Sequence, residues 1–172
     1  MRGAMSERAV RFPTSTHYRQ TVANFPSGVT VVTTNKDGED IGLTVSAFAS
    51  LSLQPPMVLV SIDQNSRSHT YLQVGSPIGV SVLAEGQTDL AVRFARHGLD
   101  RFADVEIDRR ADIPFIAGAA AWFRGEVTSR YRGGDHIILT IAVHDCDFRE
   151  GIDPLLYHGG RLHAWSNTAA TS

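Results

Sequence analysis

Apolar positions near the start of the chain follow a helical period. Tyr18, Val22 and Phe25 are spaced by four and three residues, which places them on one face of a helix over residues 17–25. Thr16 is expected to be the N-cap, because its hydroxyl can accept a hydrogen bond from a backbone N–H of the first turn. The sequence therefore predicts one short helix before the pattern changes.

After residue 28, apolar residues occur in short β-branched runs or alternate with polar residues, which is the pattern of strands. Turn sequences at Asp37-Gly38, Arg132-Gly133-Gly134 and Gly159-Gly160 predict hairpins. Short helices are predicted over residues 68–74 and 87–95. The predicted strands are residues 29–34, 43–53, 57–62, 78–83, 119–131, 137–147, 155–157 and 161–165. Many strands with few short helices indicate a mainly β protein, an antiparallel barrel that is closed or partly closed.

The length of 172 residues suits one domain. We expect this domain over residues 17–166, with a flexible N-terminal arm over residues 1–16 and a disordered tail over residues 167–172. Either Met1 or Met5 fits the natural start. The first residues lead into polar sequence without an apolar core, so no signal peptide is expected.

Composition narrows the classes of partner. The formal net charge of -2 gives no electrostatic reason to expect nucleic acid or an anionic membrane. No apolar run is long enough to span a bilayer. Lys36 is the only lysine and lies in a predicted exposed turn, so a Schiff-base mechanism is not expected.

Metal and redox motifs are missing from the sequence. Cys146 is the only cysteine, which excludes an internal disulfide, a cysteine pair for zinc and a Cys-x-x-Cys motif. The seven histidines do not follow the His-Glu-x-x-His spacing, so no metal site is predicted. A reducing compartment, the cytoplasm, fits this cysteine content. The chain also has no Gly-x-Gly-x-x-Gly, no Walker-type loop and no Gly-x-Ser-x-Gly elbow.

Residues 43–53 form the most informative segment, because they alternate for eleven residues. One face is wholly apolar: Leu43, Val45, Ala47, Ala49, Leu51 and Leu53. The other face is hydroxyl-bearing apart from one aromatic: Thr44, Ser46, Phe48, Ser50 and Ser52. A half-buried strand with a wet outer face explains the pattern. Yet the polar face has no charged residue, and short hydroxyls beside a strand backbone also suit an uncharged ligand edge or a phosphate.

Two further segments carry polar groups beside turns. Residues 63–70 combine hydroxyls, Arg67 and a predicted helix start, a combination that attracts phosphate; a capped helix, with Ser66 or Ser68 as the cap, explains them equally well. In Gly133-Gly134-Asp135-His136 the acid is placed to orient the imidazole, although a plain polar turn has the same composition.

Taken in order, these segments resemble the flavin reductase-like family, the FMN-binding split β-barrel proteins that serve as reductase components of two-component monooxygenases. The resemblance covers roughly residues 17–165. Its motifs are residues 25–34 (FPSGVTVVTT), residues 42–56 (GLTVSAFASLSLQPP), Ser66-Arg67-Ser68, Val80-Ser81-Val82-Leu83, Phe94-Ala95, Asp100-Arg101-Phe102, Gly134-Asp135-His136 and Pro154-Leu155-Leu156-Tyr157.

The resemblance implies a Greek-key, antiparallel split β-barrel with a few short helices. It implies an enzyme that transfers a hydride from NADH or NADPH to FMN or FAD and supplies reduced flavin to a partner monooxygenase. A homodimer is also implied. The choice of flavin, nicotinamide nucleotide and partner stays open.

The resemblance also implies roles for individual residues. Those expected to contact the isoalloxazine and ribityl chain are Thr44, Val45, Ser46 and Ala47. Those expected to hold the phosphate are Ser66, Arg67 and Ser68. Phe94 is expected near the flavin, and His136 beside the nicotinamide as the catalytic residue. Many relatives have Lys or Arg where Gln64 stands, which implies weaker phosphate binding here.

Two alternatives remain open at this point. One is a flavin-binding carrier with no nicotinamide reaction. The other is an oxidase of the pyridoxine-phosphate type, which shares the split barrel but needs a basic cluster for its phosphorylated substrate. The arginines outside the motifs are scattered along the sequence and single out no such cluster.

Overall fold

The computed structural model describes residues 11–98 and 100–165. The strands are β1 Ser27–Gly28, β2 Thr30–Lys36, β3 Glu39–Val45, β4 Phe48–Leu53, β5 Pro56–Asp63, β6 Pro77–Val82, β7 Ile107–Arg110, β8 Ile113–Ile116, β9 Ala121–Gly133, β10 His136–Phe148, β11 Leu155–His158 and β12 Arg161–Ala164. The helices are α1 Ser15–Val22, α2 Thr88–Ala95 and a 3₁₀ helix at Arg67–Tyr71. The mainly β prediction is confirmed.

A seven-stranded antiparallel sheet in the order β3-β2-β6-β9-β10-β5-β4 dominates the fold. Its two edge strands, β3 and β4, are consecutive in the chain and are joined by Ser46 and Ala47 alone. A flat sheet of seven strands is about 29 Å wide, whereas a two-residue connection spans only about 11 Å. The sheet must therefore curl into an open barrel whose edges meet at Ser46-Ala47, which we call the seam.

Two apolar clusters form the core. The first fills the curled sheet with side chains from its strands, including Val32, Val60, Ile78 and Leu139. The second packs α2 against the sheet and is formed by Val29, Val31, Leu83, Ala91, Phe94, Ile116 and Leu155. The helix α2 is amphipathic: it buries Ala91 and Phe94, while Val92 stays exposed. With its buried face, α2 closes one side of the seam.

The N-terminal helix starts earlier than predicted. Thr14 is its N-cap and accepts a hydrogen bond from the His17 N–H at 3.2 Å, so the assignment of the cap to Thr16 is wrong. Two threonines two residues apart offer the same cap chemistry, and only Thr14 has the extended backbone that a cap requires. Of the flexible arm predicted over residues 1–16, residues 1–10 lie outside the described residues, as does the tail predicted over residues 167–172, while Ser15 and Thr16 belong to α1.

The prediction of one strand over residues 43–53 is also wrong, because the seam divides that segment. Val45 ends β3 opposite Thr30 of β2, and Phe48 begins β4 opposite Val60 of β5. Alternation of side chains reports which face of a sheet each residue is on, but it does not report which strand lies beside it. One alternating run therefore became the two edges of the sheet.

The hairpin of β7 and β8 was not predicted. Its turn residues, Ala111 and Asp112, have φ values of 49° and 64°, as in the tight turns that usually carry Asn-Gly or Asp-Gly. The Ala-Asp pair gave no turn signal. The hairpin packs on the barrel through Phe115, whose ring meets that of Trp122 edge-on at 5.5 Å, and through Pro114, whose carbonyl accepts a hydrogen bond from Thr33.

Candidate functional site

A cavity of about 280 Å³, the seam cavity, opens where the edges of the sheet meet. Its walls come from the seam, the end of β5 and the loop after it, the end of α2 and the start of β10. Seven of the residues expected to bind ligand or react line it: Thr44, Val45, Ser46, Ala47, Ser66, Phe94 and His136.

The remaining two predicted residues, Arg67 and Ser68, line a second and larger cavity of about 1040 Å³, the adjoining cavity. Asn65, His97 and Arg101 line both cavities, so the two cavities lie side by side. The boundary along the chain falls between Ser66 and Arg67. The structure therefore places all nine predicted residues in two neighbouring cavities.

The seam offers backbone donors to the seam cavity. The Ser46 carbonyl accepts a hydrogen bond from Phe48 N–H at 3.0 Å, and the Ala47 carbonyl accepts one from Ser61 N–H at 2.9 Å. Within residues 11–98 and 100–165, the N–H groups of Ser46 and Ala47 donate no hydrogen bond to another backbone carbonyl. Since backbone donors seek a partner, these two amides are available to a ligand.

Thr44 and Phe94 shape the wall of the cavity. The Thr44 hydroxyl donates to the Ala91 carbonyl at 2.7 Å, which fastens α2 to β3. Phe94 is fully buried and meets Phe102 edge-on at 5.0 Å. Gly42 allows this packing, because a Cβ there would lie 2.7 Å from Cε1 of Phe94. These two side chains therefore hold α2 at the seam.

The loop after β5 is fixed by its own turn and by the β9–β10 hairpin. Asp63 accepts a hydrogen bond from Asn65 N–H at 2.8 Å, an Asx turn. Gln64 donates its side-chain amide to the carbonyls of Gly134 at 2.9 Å and His136 at 3.3 Å. Gln64 thus braces the loop against the hairpin that carries His136.

His136 forms a pair with its neighbour Asp135, with Nδ1 of the ring 2.7 Å from the Asp135 carboxylate. The hydrogen bond to His136 and the charge of that ring hold the pKa of Asp135 below its ordinary value. A carboxylate acceptor favours the tautomer with the proton on Nδ1, which leaves Nε2 as an acceptor when the ring is neutral. The His136 side chain is 41% exposed, so the ring is accessible to a ligand.

Arg101 is a site residue to which sequence reasoning gave no role. Its guanidinium donates to the carbonyls of Gly42 and, at 2.9 Å, Arg96, and reaches the Ser68 hydroxyl at 3.4 Å. Burial lowers its pKa from the ordinary value for arginine, yet arginine stays charged in proteins. Only the fold brings these partners together, so the motif Asp100-Arg101-Phe102 was the one signal available.

An apolar groove of about 640 Å³ lies on the other side of the seam and shares Ser46 and Ala47 with the seam cavity. Tyr18, Val22 and Phe25 line it and are well exposed. In the described part of the chain, no group of three or more His, Cys, Asp or Glu side chains is placed to hold a metal ion. No helix in that part is long and apolar enough to cross a membrane.

Comparison with known proteins agrees with this geometry. The family described as flavin reductase like domain matches residues 22–166. The chain is 38% identical over 145 residues to the reductase component of 4-nitrophenol 4-monooxygenase/4-nitrocatechol 2-monooxygenase from Rhodococcus opacus, covering 84% of this chain and 78% of that protein. It is 36% identical over 152 residues to an NADH-dependent flavin reductase of Pseudomonas fluorescens, covering 87% and 89%.

Solved structures extend the likeness to three dimensions. The NADH:FAD oxidoreductase of Streptomyces globisporus C-1027, solved in complex with NAD and FAD fragments, superimposes with a TM-score of 0.85 at 33% identity, covering 91% of this chain and 96% of that one. The same open barrel, the ordered set of motifs and the match over residues 22–166 converge on one assignment. The chain belongs to the flavin reductase-like family.

Proposed function

We propose that this protein is a flavin reductase, which transfers a hydride from NADH or NADPH to FMN or FAD and supplies the reduced flavin to a partner monooxygenase. The seam cavity carries the proposal, because it joins free backbone donors, short hydroxyls and apolar side chains in one space. The names of the relatives support the same reaction class: a monooxygenase reductase component, an NADH-dependent flavin reductase and an NADH:FAD oxidoreductase.

The side chains present fit the ring system of a flavin. An isoalloxazine has apolar faces and a polar edge that both donates and accepts hydrogen bonds. Val45 and Ala47 supply apolar contact, while the Ser46 hydroxyl and the seam N–H groups supply polar partners. Such a mixture of apolar lining and a few convergent polar groups is typical of cofactor sites.

The donor set beyond the ring fits a phosphate. Ser66 lines the seam cavity, and its two successors in the chain, Arg67 and Ser68, line the adjoining cavity. Arg101 adds a second cation held in place by backbone carbonyls. Guanidinium groups bind phosphate oxygens through paired, charge-assisted hydrogen bonds, so these arginines suit an anionic ligand although Gln64 supplies no cation.

The bound flavin supplies the two-electron acceptor, and the protein supplies binding, orientation and electrostatics. Hydride transfer requires no general base, so the site needs no catalytic dyad. We assign His136 to the nicotinamide nucleotide, with Nε2 free to contact it and Asp135 fixing the ring.

We also propose that the protein is a homodimer and lies in the cytoplasm. The apolar groove beside the seam exposes Tyr18, Val22 and Phe25, and β4 exposes Leu51 and Leu53. Exposed apolar side chains in such numbers are typical of protein interfaces, and a two-fold dimer is the commonest way to cover them. The free, exposed Cys146 suits a reducing compartment.

The test is to mix purified protein with FMN or FAD and to follow the absorbance of NADH and of NADPH. Consumption that depends on both protein and flavin is expected, and it identifies the preferred pair. Flavin binding without consumption would instead support the carrier alternative. If neither flavin binds, the resemblance is one of fold only and the proposal fails.

Replacement of His136 by Ala tests its assignment. We expect kcat/KM for the nicotinamide nucleotide to fall about tenfold or more, as for loss of one hydrogen bond to a charged ligand, while oxidised flavin still binds. His144→Ala is the matched control, because His144 is exposed on the same strand, β10, and lines neither cavity. Unchanged kinetics in His136→Ala would remove this residue from the site.

A further inference from the structure

The adjoining cavity extends beyond the residues expected to hold the flavin phosphate. A phosphate held by Ser66, Arg67 and Ser68 would lie where the two cavities meet, since Ser66 lines one and the other two residues line the next. The space beyond this boundary has a volume of about 1040 Å³, at the upper end of the roughly 300–1,000 Å³ of ligand pockets. A ligand that continues beyond its first phosphate would use this space.

Two arginines in this cavity suit a pyrophosphate. The guanidinium of Arg101 is fixed by the carbonyls of Gly42 and Arg96, while its Nη2 group donates no hydrogen bond within the described residues. Arg67 is exposed at the same wall and forms no ion pair there. A single phosphate bound by Arg67 leaves the free donors of the Arg101 guanidinium unused, whereas two linked phosphates engage both guanidinium groups.

An exposed aromatic ring lines the adjoining cavity. Tyr71, at the end of the 3₁₀ helix, is 40% exposed and lines the adjoining cavity. Phe102 also lines it, but that ring is held edge-on against Phe94. Tyr71 is therefore the side chain suited to stack on a base, a contact that aromatic residues make with every nucleobase.

The acidic residues Glu39 and Asp40 line the same cavity as the two arginines. They suit a sugar and disfavour another phosphate. Asp40 is already satisfied by Arg109, with its two carboxylate oxygens 3.1 and 2.5 Å from the guanidinium, and by Asn35 at 2.7 Å. The neighbouring Glu39 is exposed and forms no ion pair within the described residues. A free carboxylate accepts hydrogen bonds from ribose hydroxyls and repels a phosphate.

We infer that the adjoining cavity binds the adenosine phosphate half of FAD, so that FAD rather than FMN is the preferred flavin of this protein. The inference rests on the proposed function and names its substrate. NADH carries an adenosine diphosphate of the same chemistry, but the triplet Ser66-Arg67-Ser68 proposed to hold the flavin phosphate lines both cavities. This shared lining assigns the adjoining cavity to FAD.

The experiment measures the dissociation constants of FAD and FMN by flavin fluorescence for the full chain and for Tyr71→Ala and Tyr71→Phe. Wild-type protein is expected to bind FAD more tightly than FMN. Tyr71→Ala is expected to weaken FAD binding about tenfold, the size of one lost stacking contact, with FMN binding changed less than about twofold. Tyr71→Phe retains the ring and is expected to restore FAD binding.

Tyr131→Ala is the control, because Tyr131 is an exposed tyrosine on β9 that lines neither cavity. Equal affinities of the wild type for both flavins, or an equal loss of both in Tyr71→Ala, would overturn the inference. So would a rise in KM for NADH in Tyr71→Ala with FMN as acceptor, since it would assign the cavity to the nicotinamide nucleotide. Wild-type protein that binds FMN but reduces no flavin contradicts the proposed function instead, leaving the FAD preference to be read from binding.

Discussion

The two halves of the alternating segment 43–53 differ in which of their side chains are buried. In β3 the side chain of Leu43 is 7% exposed and belongs to the core inside the sheet, whereas in β4 the side chain of Leu53 is 88% exposed. The two leucines occupy equivalent positions in one period-two pattern. Such a pattern therefore predicts a strand and its two faces, while the neighbouring strands decide which face is buried.

The seam also exchanges the two faces. Leu43 and Val45 point into the core from β3, but from β4 the residue that packs on the same core is Phe48, which belongs to the other face. A shift of one residue moves every side chain of a strand to the opposite face. The two-residue connection at Ser46-Ala47 has that effect, and it leaves small residues and free backbone donors where a ligand can approach.

The same truncation made in both halves tests this difference in burial most directly. Leu43→Ala is expected to lower the free energy of unfolding by about 2–5 kcal/mol, because it leaves a cavity in a packed core. Leu53→Ala is expected to change it by less than about 0.5 kcal/mol, as for an exposed residue. Urea unfolding at equal protein concentration measures both. Equal effects of the two variants would show that both halves are buried alike.

Gly42→Ala tests the packing that holds α2 at the seam. The added Cβ would lie 2.7 Å from Cε1 of Phe94 and 2.9 Å from Cζ of Phe102, which forces both rings to shift. We expect a loss of about 1–3 kcal/mol in unfolding free energy together with weaker flavin binding. Gly28→Ala is the control, since a Cβ there meets nothing within 4 Å. Full flavin binding by Gly42→Ala would separate Phe94 from the site.

Asp40→Asn tests the outer end of β3. Burial raises the pKa of Asp40, but the hydrogen bonds from Arg109 and Asn35 and the charge of Arg109 outweigh it, so the pKa lies below its ordinary value. A lowered folded-state pKa contributes stability above the unfolded pKa of about 3.9, and this stability is lost as the pH falls through the folded-state value.

We therefore expect Asp40→Asn to be less stable than wild type by about 0.5 kcal/mol at pH 7, as for a partly exposed ion pair. The difference should shrink as the pH falls below about 4. Urea unfolding across this range measures it. Asp37→Asn, at the far more exposed pair with Lys36, is the control, and a difference that stays constant with pH would contradict the assigned titration.

Leu53→Asp should have the smallest effect on folding and a selective effect on association. Because Leu53 is almost fully exposed on the edge strand β4, a charge there costs the folded protomer little. If β4 belongs to the proposed dimer interface, the charge weakens it, and sedimentation velocity at several concentrations should show more monomer. A dimer of unchanged affinity would exclude Leu53 from the interface.

Local sequence was enough to predict most of the strands, the hairpins at Asp37-Gly38 and Gly159-Gly160, and the motifs that resemble the flavin reductase-like family. These depend on side-chain periodicity and on local turn chemistry, which act over a few residues. The β7–β8 hairpin was not predicted because its turn carries Ala111-Asp112 at positive φ without a glycine. The N-cap at Thr14 was not predicted because a second threonine offered the same local chemistry.

The position of the seam and the groups that meet across it depend on the three-dimensional fold. Arg101 contacts Gly42 and Ser68, residues 59 and 33 positions away in the chain, and Gln64 braces a hairpin 70 residues further on. Contacts at such separations depend on how seven strands curl and which edges meet. No local pattern encodes them, because a side chain's neighbours across a barrel are set by strand order and register.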